Sequence, residues 1–331
     1  MKRQERIAAG PAAATPPDTT TLTTHVELAT RQLGGGVAAR EVDPGLWLRP
    51  SAVRGALRFW WRALFGGVYS DTKTMRTAEN AVFGGPAMRD KEGRLISGPG
   101  TLVIDVTATL AGPLETWTGG PANPLTTAYF GASVGGHKLL RSAEASVSLR
   151  GASGEVLEAV RAWLTFGGSG GRTRRGAGHL RVKKFDATTS PLASEEQLTT
   201  WLKRSRAPAP TPRNFFLIEQ DSRFLVSSKT HSSADDAQKV LLEGWRNARG
   251  AMKAAEMPRG AERQRWGLPL KGIDDAGRYA SPVLLGMLQE QNGWRPVVLI
   301  TRPSTPSTLK DPIDKVVSSF GTNYREITVK T

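Results

Sequence analysis

The chain has 331 residues, long enough for two domains with separate cores, and its 45 lysines and arginines against 30 acids give a net charge of +15. The excess is spread evenly, with 24 basic and 15 acidic side chains up to residue 186 and 21 and 15 after it, a field that favours nucleic acid or an acidic surface as partner. The absence of cysteine excludes disulfides and thiolate metal sites and fits the cytoplasm, and no run approaches the ~20 apolar residues of a membrane span.

Residues 1–20 carry early basic residues followed by Ala, Pro and Thr, which predicts a flexible N-terminal extension rather than a secretory signal. The Thr-rich alternation of residues 21–30 predicts an opening strand, ended by Gly34-Gly-Gly36. A helix follows between Ser51, an expected N-cap, and the stop signal Gly66-Gly67. On it Val53, Leu57, Trp60, Trp61 and Leu64 share one apolar arc, the habit of core residues. Arg54, Arg58 and Arg62 recur on an adjacent stripe with no acid on the helix. Like charges at this spacing repel, so the row predicts an anionic partner, and arginine's fork suits phosphate.

Residues 66–101 and 111–141 are rich in Gly, Pro and Thr and read as long insertions around a strand at 102–110. A further strand is expected at 144–149 and an amphipathic helix at 154–166, capped by Ser153, with Val156, Leu157, Val160, Trp163 and Leu164 inward. The loop Gly167-Gly-Ser-Gly-Gly-Arg-Thr-Arg-Arg-Gly-Ala-Gly178 follows, and residues 179–185 read as a strand. Glycines let such a loop turn sharply and approach another chain closely, with Arg172, Arg174 and Arg175 presenting guanidinium groups. Nucleotide-loop patterns fail here. Gly176 is followed by Ala177 rather than Lys-Ser/Thr, and Thr173 and Arg181 occupy the third-glycine positions of G-x-G-x-x-G.

The strand and helix order up to residue 186 approximates βαββαβ, a ferredoxin-like pattern. Lys203-Arg-Ser-Arg-Ala-Pro-Ala-Pro-Thr-Pro-Arg213 places prolines at alternate positions, so residues 187–213 are expected to be an extended linker. The expected division is 1–20 extension, 21–186 first domain, 187–213 linker and 214–331 second domain. In the latter, residues 214–218 open the domain, residues 234–255 read as a helix with solvated cations, and 278–285 and 294–300 as paired strands.

The string Leu48-Arg-Pro-x-x-x-Arg-Gly-Ala-Leu-Arg-Phe-Trp-Trp-Arg-Ala-Leu64 closely resembles the signature of a subunit of Cmr-type (type III-B) CRISPR complexes, of the RAMP superfamily. The glycine-rich loop resembles the one RAMP proteins place between their last helix and last strand, and Arg278-x-Ala-Ser-Pro282 resembles a motif late in the same subunit. The resemblance implies an α+β fold of two tandem ferredoxin-like (RRM-like) RAMP domains. It implies a noncatalytic, cytoplasmic RNA-binding subunit in the head of the effector complex, near the 3′ region of the guide RNA. Its partners would be guide RNA, target RNA and other Cmr-type RAMP subunits, with no membrane and no metal or small-molecule cofactor. The expected RNA-binding residues are Arg49, Arg54, Arg58, Arg62, Gly168, Gly170, Gly171, Arg172, Thr173, Arg174, Arg175 and Lys183, the helix row and the loop joining in one basic cleft.

Catalysis has little sequence support. His25, His137, His179 and His231 show no metal-type spacing. His25 alone invites comparison with the metal-independent endoribonucleases of the superfamily that process CRISPR repeat RNA. Asp43 and Asp71 lie in turn-like surroundings and receive no catalytic role.

Overall fold

Alternation in the opening segment does make a strand: β1 (Thr21–Leu28) turns Leu22, Thr24, Val26 and Leu28 inward and leaves Thr21 and His25 exposed. The structure, a computed structural model, describes residues 21–36, 41–86, 88–89, 91–92, 95–129, 136–185, 192–204, 217–218, 222–254, 281–301 and 312–327. The expected extension at 1–20, residues 187–191 and 205–213 of the expected linker, 214–216 of the expected opening of the second domain and 278–280 of the expected strand at 278–285 lie outside these. In chain order there follow β2 (Gln32–Leu33), α1 (Pro50–Phe65), α2 (Thr72–Phe83), β3 (Met88–Arg89), β4 (Leu95–Ser97), β5 (Val103–Ala111), β6 (Leu114–Thr116), β7 (Lys138–Leu140), β8 (Ala143–Arg150), α3 (Gly154–Phe166) and β9 (Leu180–Phe185). The second half supplies α4 (Glu195–Arg204), β10 (Arg223–Ser227), α5 (Ala234–Ala254), β11 (Val283–Glu290), β12 (Gly293–Ile300), α6 (Pro312–Ser319) and β13 (Tyr324–Ile327).

Two four-stranded antiparallel sheets result, ordered β5-β8-β1-β9 and β11-β12-β10-β13. Each is a βαββαβ unit whose second, third, first and fourth strands lie side by side, so the ferredoxin-like plan occurs twice. The insertions carry α2, the β3–β4 hairpin and a small sheet of order β2-β7-β6.

Pro50 opens α1, and Arg49, in extended backbone, is the N-cap residue without a side-chain bond; Ser51 lies one position inside, exposed, so the expected serine cap is not formed. At the other end Gly66 stays right-handed and the chain runs on into a 3-10 turn, Gly66–Val68. The apolar arc is buried as its spacing implies, Val53 and Leu57 completely. Helix α3 starts where Ser153 accepts from the Val156 amide at 3.4 Å.

Helices α1 and α3 are covered on two sides. One side packs on the first sheet. The other meets Phe224, Val226, Leu284, Leu288, Val297 and Leu299 of the second sheet in the same hydrophobic cluster. Phe166 sits between them, its ring 5.9 Å from Trp60 and 6.0 Å from Phe224. Gly286 of β11 permits this approach, since a Cβ there would lie 2.5 Å from the Thr165 carbonyl oxygen and 2.7 Å from the Phe166 ring. The opposite face of the second sheet, with Leu225, Leu285, Met287, Val298 and Ile300, lies under Leu241, Leu242 and Trp245 of α5. Both faces of that sheet are therefore covered, which is why β11 and β12 are apolar almost throughout.

The outward face of the first sheet is polar. Thr23 and Ser148 hydroxyls lie 3.0 Å apart, and Lys183 sits between Glu144 at 2.7 Å and Glu27 at 3.3 Å. The two sheets are also joined edge to edge: the Gln289 side-chain amide accepts from the Val182 N–H and donates to the Val182 carbonyl, both at 2.8 Å. Residues 195–204 of the expected linker form α4, whose Leu198, Trp201 and Leu202 are buried in the shared core.

Candidate nucleic-acid interface

The glycine-rich loop starts where α3 stops. Gly167 N–H donates to the Trp163 carbonyl at 2.8 Å and the Trp163 indole donates to the Gly168 carbonyl at 3.0 Å. The two limbs of the loop then run against each other, Ser169 N–H donating to the Gly178 carbonyl at 2.8 Å. A Cβ on Gly178 would strike the Ser169 carbonyl, and one on Gly168 would lie 2.5 Å from the Gly178 oxygen. Gly170, at φ +82°, packs on Gln32 and the Leu33 carbonyl, to which Gly171 N–H donates. At the tip, Arg175 N–H donates to Arg172 and Gly176 N–H to Thr173, at 2.8 and 2.9 Å. Arg172 has φ +58°, the only non-glycine in the left-handed region among the described residues. This loop is wedged into place rather than hinged.

Its arginines point in different directions. Arg172 is exposed and donates to the Thr127 carbonyl at 3.1 Å. Arg174 donates to the Ser281 carbonyl at 3.3 Å and lies 5.0 Å over the Phe59 ring of α1. Arg175 donates to the Val283 carbonyl at 2.9 Å and the Ser281 hydroxyl at 3.0 Å, and stacks 4.3 Å over Trp245 of α5. Its surface is only partly covered, yet protein rings its guanidinium. Burial, and then the like charges of Arg249, Arg174 and Arg172, push Arg175 down to about 9, and burial alone puts Arg174 at about 10. Both remain cations at neutral pH. The expectation that all three would stand exposed holds for Arg172; Arg174 and Arg175 are built into the junction with the second half.

Side chains not singled out in the sequence hold the loop. Gln238, fully buried on α5, accepts from the Tyr129 hydroxyl at 3.0 Å and donates to the Arg175 carbonyl at 3.2 Å. Thr30 donates to the Gly176 carbonyl at 2.6 Å and accepts from the His179 N–H at 2.9 Å. The His179 ring is buried 5.7 Å from Trp294, with Nδ1 3.2 Å from the Gly167 carbonyl oxygen, and burial lowers it to about 4. Scattered polar residues of this kind carry no periodicity; Ser281 alone lay inside a quoted motif.

The helix row meets α2 rather than the loop. Arg54 donates to the Phe83 carbonyl at 2.6 Å, while Arg58 and Arg62 approach Glu79 at 3.7 and 3.9 Å. Glu79 is 4% exposed and supplies the acid that α1 lacks. The single basic cleft expected from this row and the loop is thus not formed. Arg49, at the other end of α1, donates to the Gly35 carbonyl and, at 3.0 Å, to that of Gly36. Lys183 is engaged by Glu144 and Glu27 on the outer sheet face, and these acids raise its pKa.

His25 is exposed on that outer face, opposite Ser146 and Lys184 in register. Asp43 accepts from Gly45 N–H at 3.0 Å and Asp71 from Thr74 N–H at 2.8 Å, each opening a helical turn; the Thr74 amide and hydroxyl hold Asp71 at about 2. Among the described residues no three His, Asp or Glu side chains are grouped to hold a metal ion.

The sequence model of the RAMP superfamily matches residues 26–105, from β1 through α1 into β5. The fold is similar over 93% of the chain to Cmr1 from Pyrococcus furiosus in its apo form, at a TM-score of 0.59 and 17% identity, covering 98% of that protein. Chains from two structures of the Type III-B Cmr-beta bound to cognate target RNA share it over 92% of this chain. One has a TM-score of 0.58 at 11% identity and is covered completely. The other, also with AMPPnP and in the presence of ssDNA, has 0.56 at 10% and is covered over 99%. No curated protein matches the sequence significantly.

Proposed function

We propose that this chain is a noncatalytic RNA-binding subunit of a cytoplasmic type III-B CRISPR effector complex, seated near the 3′ region of the guide RNA and touching guide or target RNA. One observation carries the reading. Residues of the three sequence segments that resemble the Cmr-type subunit, about a hundred residues apart along the chain, meet at one point, where Arg174 and Arg175 of the loop engage Phe59 of α1 and Ser281. The second sheet is covered on both faces, and among the described residues the outward positions of β1, β5 and β8 carry no Phe, Tyr or Trp and only the His25 ring, a poor RRM-type stacking platform, which favours the arginine-bearing junction. Exposed Arg172 is the first phosphate ligand, and contacts are mainly to backbone, since a guide-bearing complex reads sequence by base pairing. Co-purification of the tagged chain with other Cmr-type subunits and guide RNA tests the assembly. Incubation with labelled repeat RNA in EDTA tests the enzyme reading: intact RNA is expected, and cleavage abolished by His25→Ala would replace this proposal.

A further inference from the structure

We propose that the RNA-binding surface continues across the junction onto α5, where Arg246 and Arg249 bind backbone phosphates beside Arg172. This rests on the RNA-binding reading above. Arg246 donates to the Ala122 and Pro121 carbonyls at 3.1 and 3.0 Å, and Arg172 donates to the Thr127 carbonyl at 3.1 Å. One short segment, 121–127, therefore holds an arginine from each half of the chain, at acceptors no more than ~22 Å apart even if that segment were extended. Arg246 is exposed and its two carbonyl partners are neutral, so further N–H donors of the guanidinium remain for a phosphate, a stronger acceptor.

Arg249 follows one turn later, exposed, and near enough to act as a like charge on Arg175. Between loop and helix stands Trp245, with Arg175 on its face. The sequence of α5 is lopsided in the same sense. Its acids Asp235, Asp236 and Glu243 come first, and Arg246, Arg249 and Lys253 follow with no acid after Glu243. Cations near a helix C-terminus also suit its dipole, so the competing explanation is a set of solvated charges.

Equilibrium binding of a labelled single-stranded RNA to the full chain, over a series of salt concentrations, separates these. Each phosphate contact adds ~0.7 to the log–log salt slope, so R246A/R249A is expected to flatten it by ~1.4 and R172A by ~0.7. R246K/R249K is expected to keep the slope, and K239A, exposed nearer the start of the same helix, to leave it unchanged. A wild-type slope in R246A/R249A with a flattened one in R172A overturns the inference and leaves the loop reading standing. An unchanged slope in R172A as well removes the loop reading too. Equal flattening in the alanine and lysine pairs also overturns the inference, because the arginines would then act by holding segment 121–127.

Discussion

Arg175 shows how a cation survives where water is scarce. Hydrogen bonds to the Val283 and Ser281 oxygens, a longer one to the Arg174 carbonyl and the face of Trp245 replace its hydration, while three neighbouring arginines oppose it. Arg175→Ala removes those bonds and is expected to lower stability by about 1–3 kcal/mol in urea unfolding. Lysine should not restore it, because a point charge cannot reach both oxygens while stacking on the indole. A change under ~0.5 kcal/mol would show the contacts are incidental.

His179, buried and lowered to about 4, gives a pH signature. The unfolded chain takes up a proton below ~6.5 and the folded one only near 4, so this group's contribution is intact above ~6.5 and lost as pH falls between the two. The loss is expected to be about 3 kcal/mol at most, measured as a stability difference between pH 7 and 4.5 that shrinks in His179→Leu. None of this was legible in the sequence. A periodicity argument sees one helix at a time, so the arginine row looked unpaired when its acid, Glu79, sits on another helix.

Elements with a repeat of their own were readable. Helix α3 has the limits its pattern gave and β12 falls within one residue of its predicted segment, whereas β11 starts five residues later than expected and shares only 283–285 with it. Strands of two or three residues, such as β2, β6 and β7, are too short to show a period. Helix α4 was legible but masked by the prolines after it: Leu198, Trp201 and Leu202 have helical spacing, and Ser194 caps the Gln197 N–H at 3.1 Å. Two glycines test the packing between elements with opposite signs. Gly286→Ala places a methyl against backbone that cannot yield, and should cost about 2 kcal/mol or more. Gly55→Ala, inside α1 with nothing within 4 Å of the added carbon, should gain about 0.5–1 kcal/mol. Thermal unfolding of both variants checks the pair, and a neutral Gly286→Ala would mean that β11 and α3 can part freely.

At the scale of the molecule, the two ferredoxin-like units are less separable than a proline-rich stretch between them implies. The first unit lends its helices to the second sheet, so a fragment beginning at residue 214 would expose Phe224, Leu284, Leu288, Val297 and Leu299 together. Such a fragment is expected to aggregate or remain loosely packed when expressed alone, and to be rescued by co-expression with residues 1–213. A well-dispersed, cooperatively unfolding fragment would refute this. The apolar runs of β11 and β12 announced the burial of both faces, but not what would lie on the second.

The Gln289 amide clasping Val182 has a consequence for measurement. A primary amide on a side chain stands in for a missing peptide unit, so one proton, the Val182 N–H, is locked only while the two sheets lie edge to edge. Its exchange with deuterated solvent is a native gauge of how often they separate, needing no label or mutation. If ligand binding tightens the junction, that single proton should slow; if the halves open to admit a strand, it should quicken first.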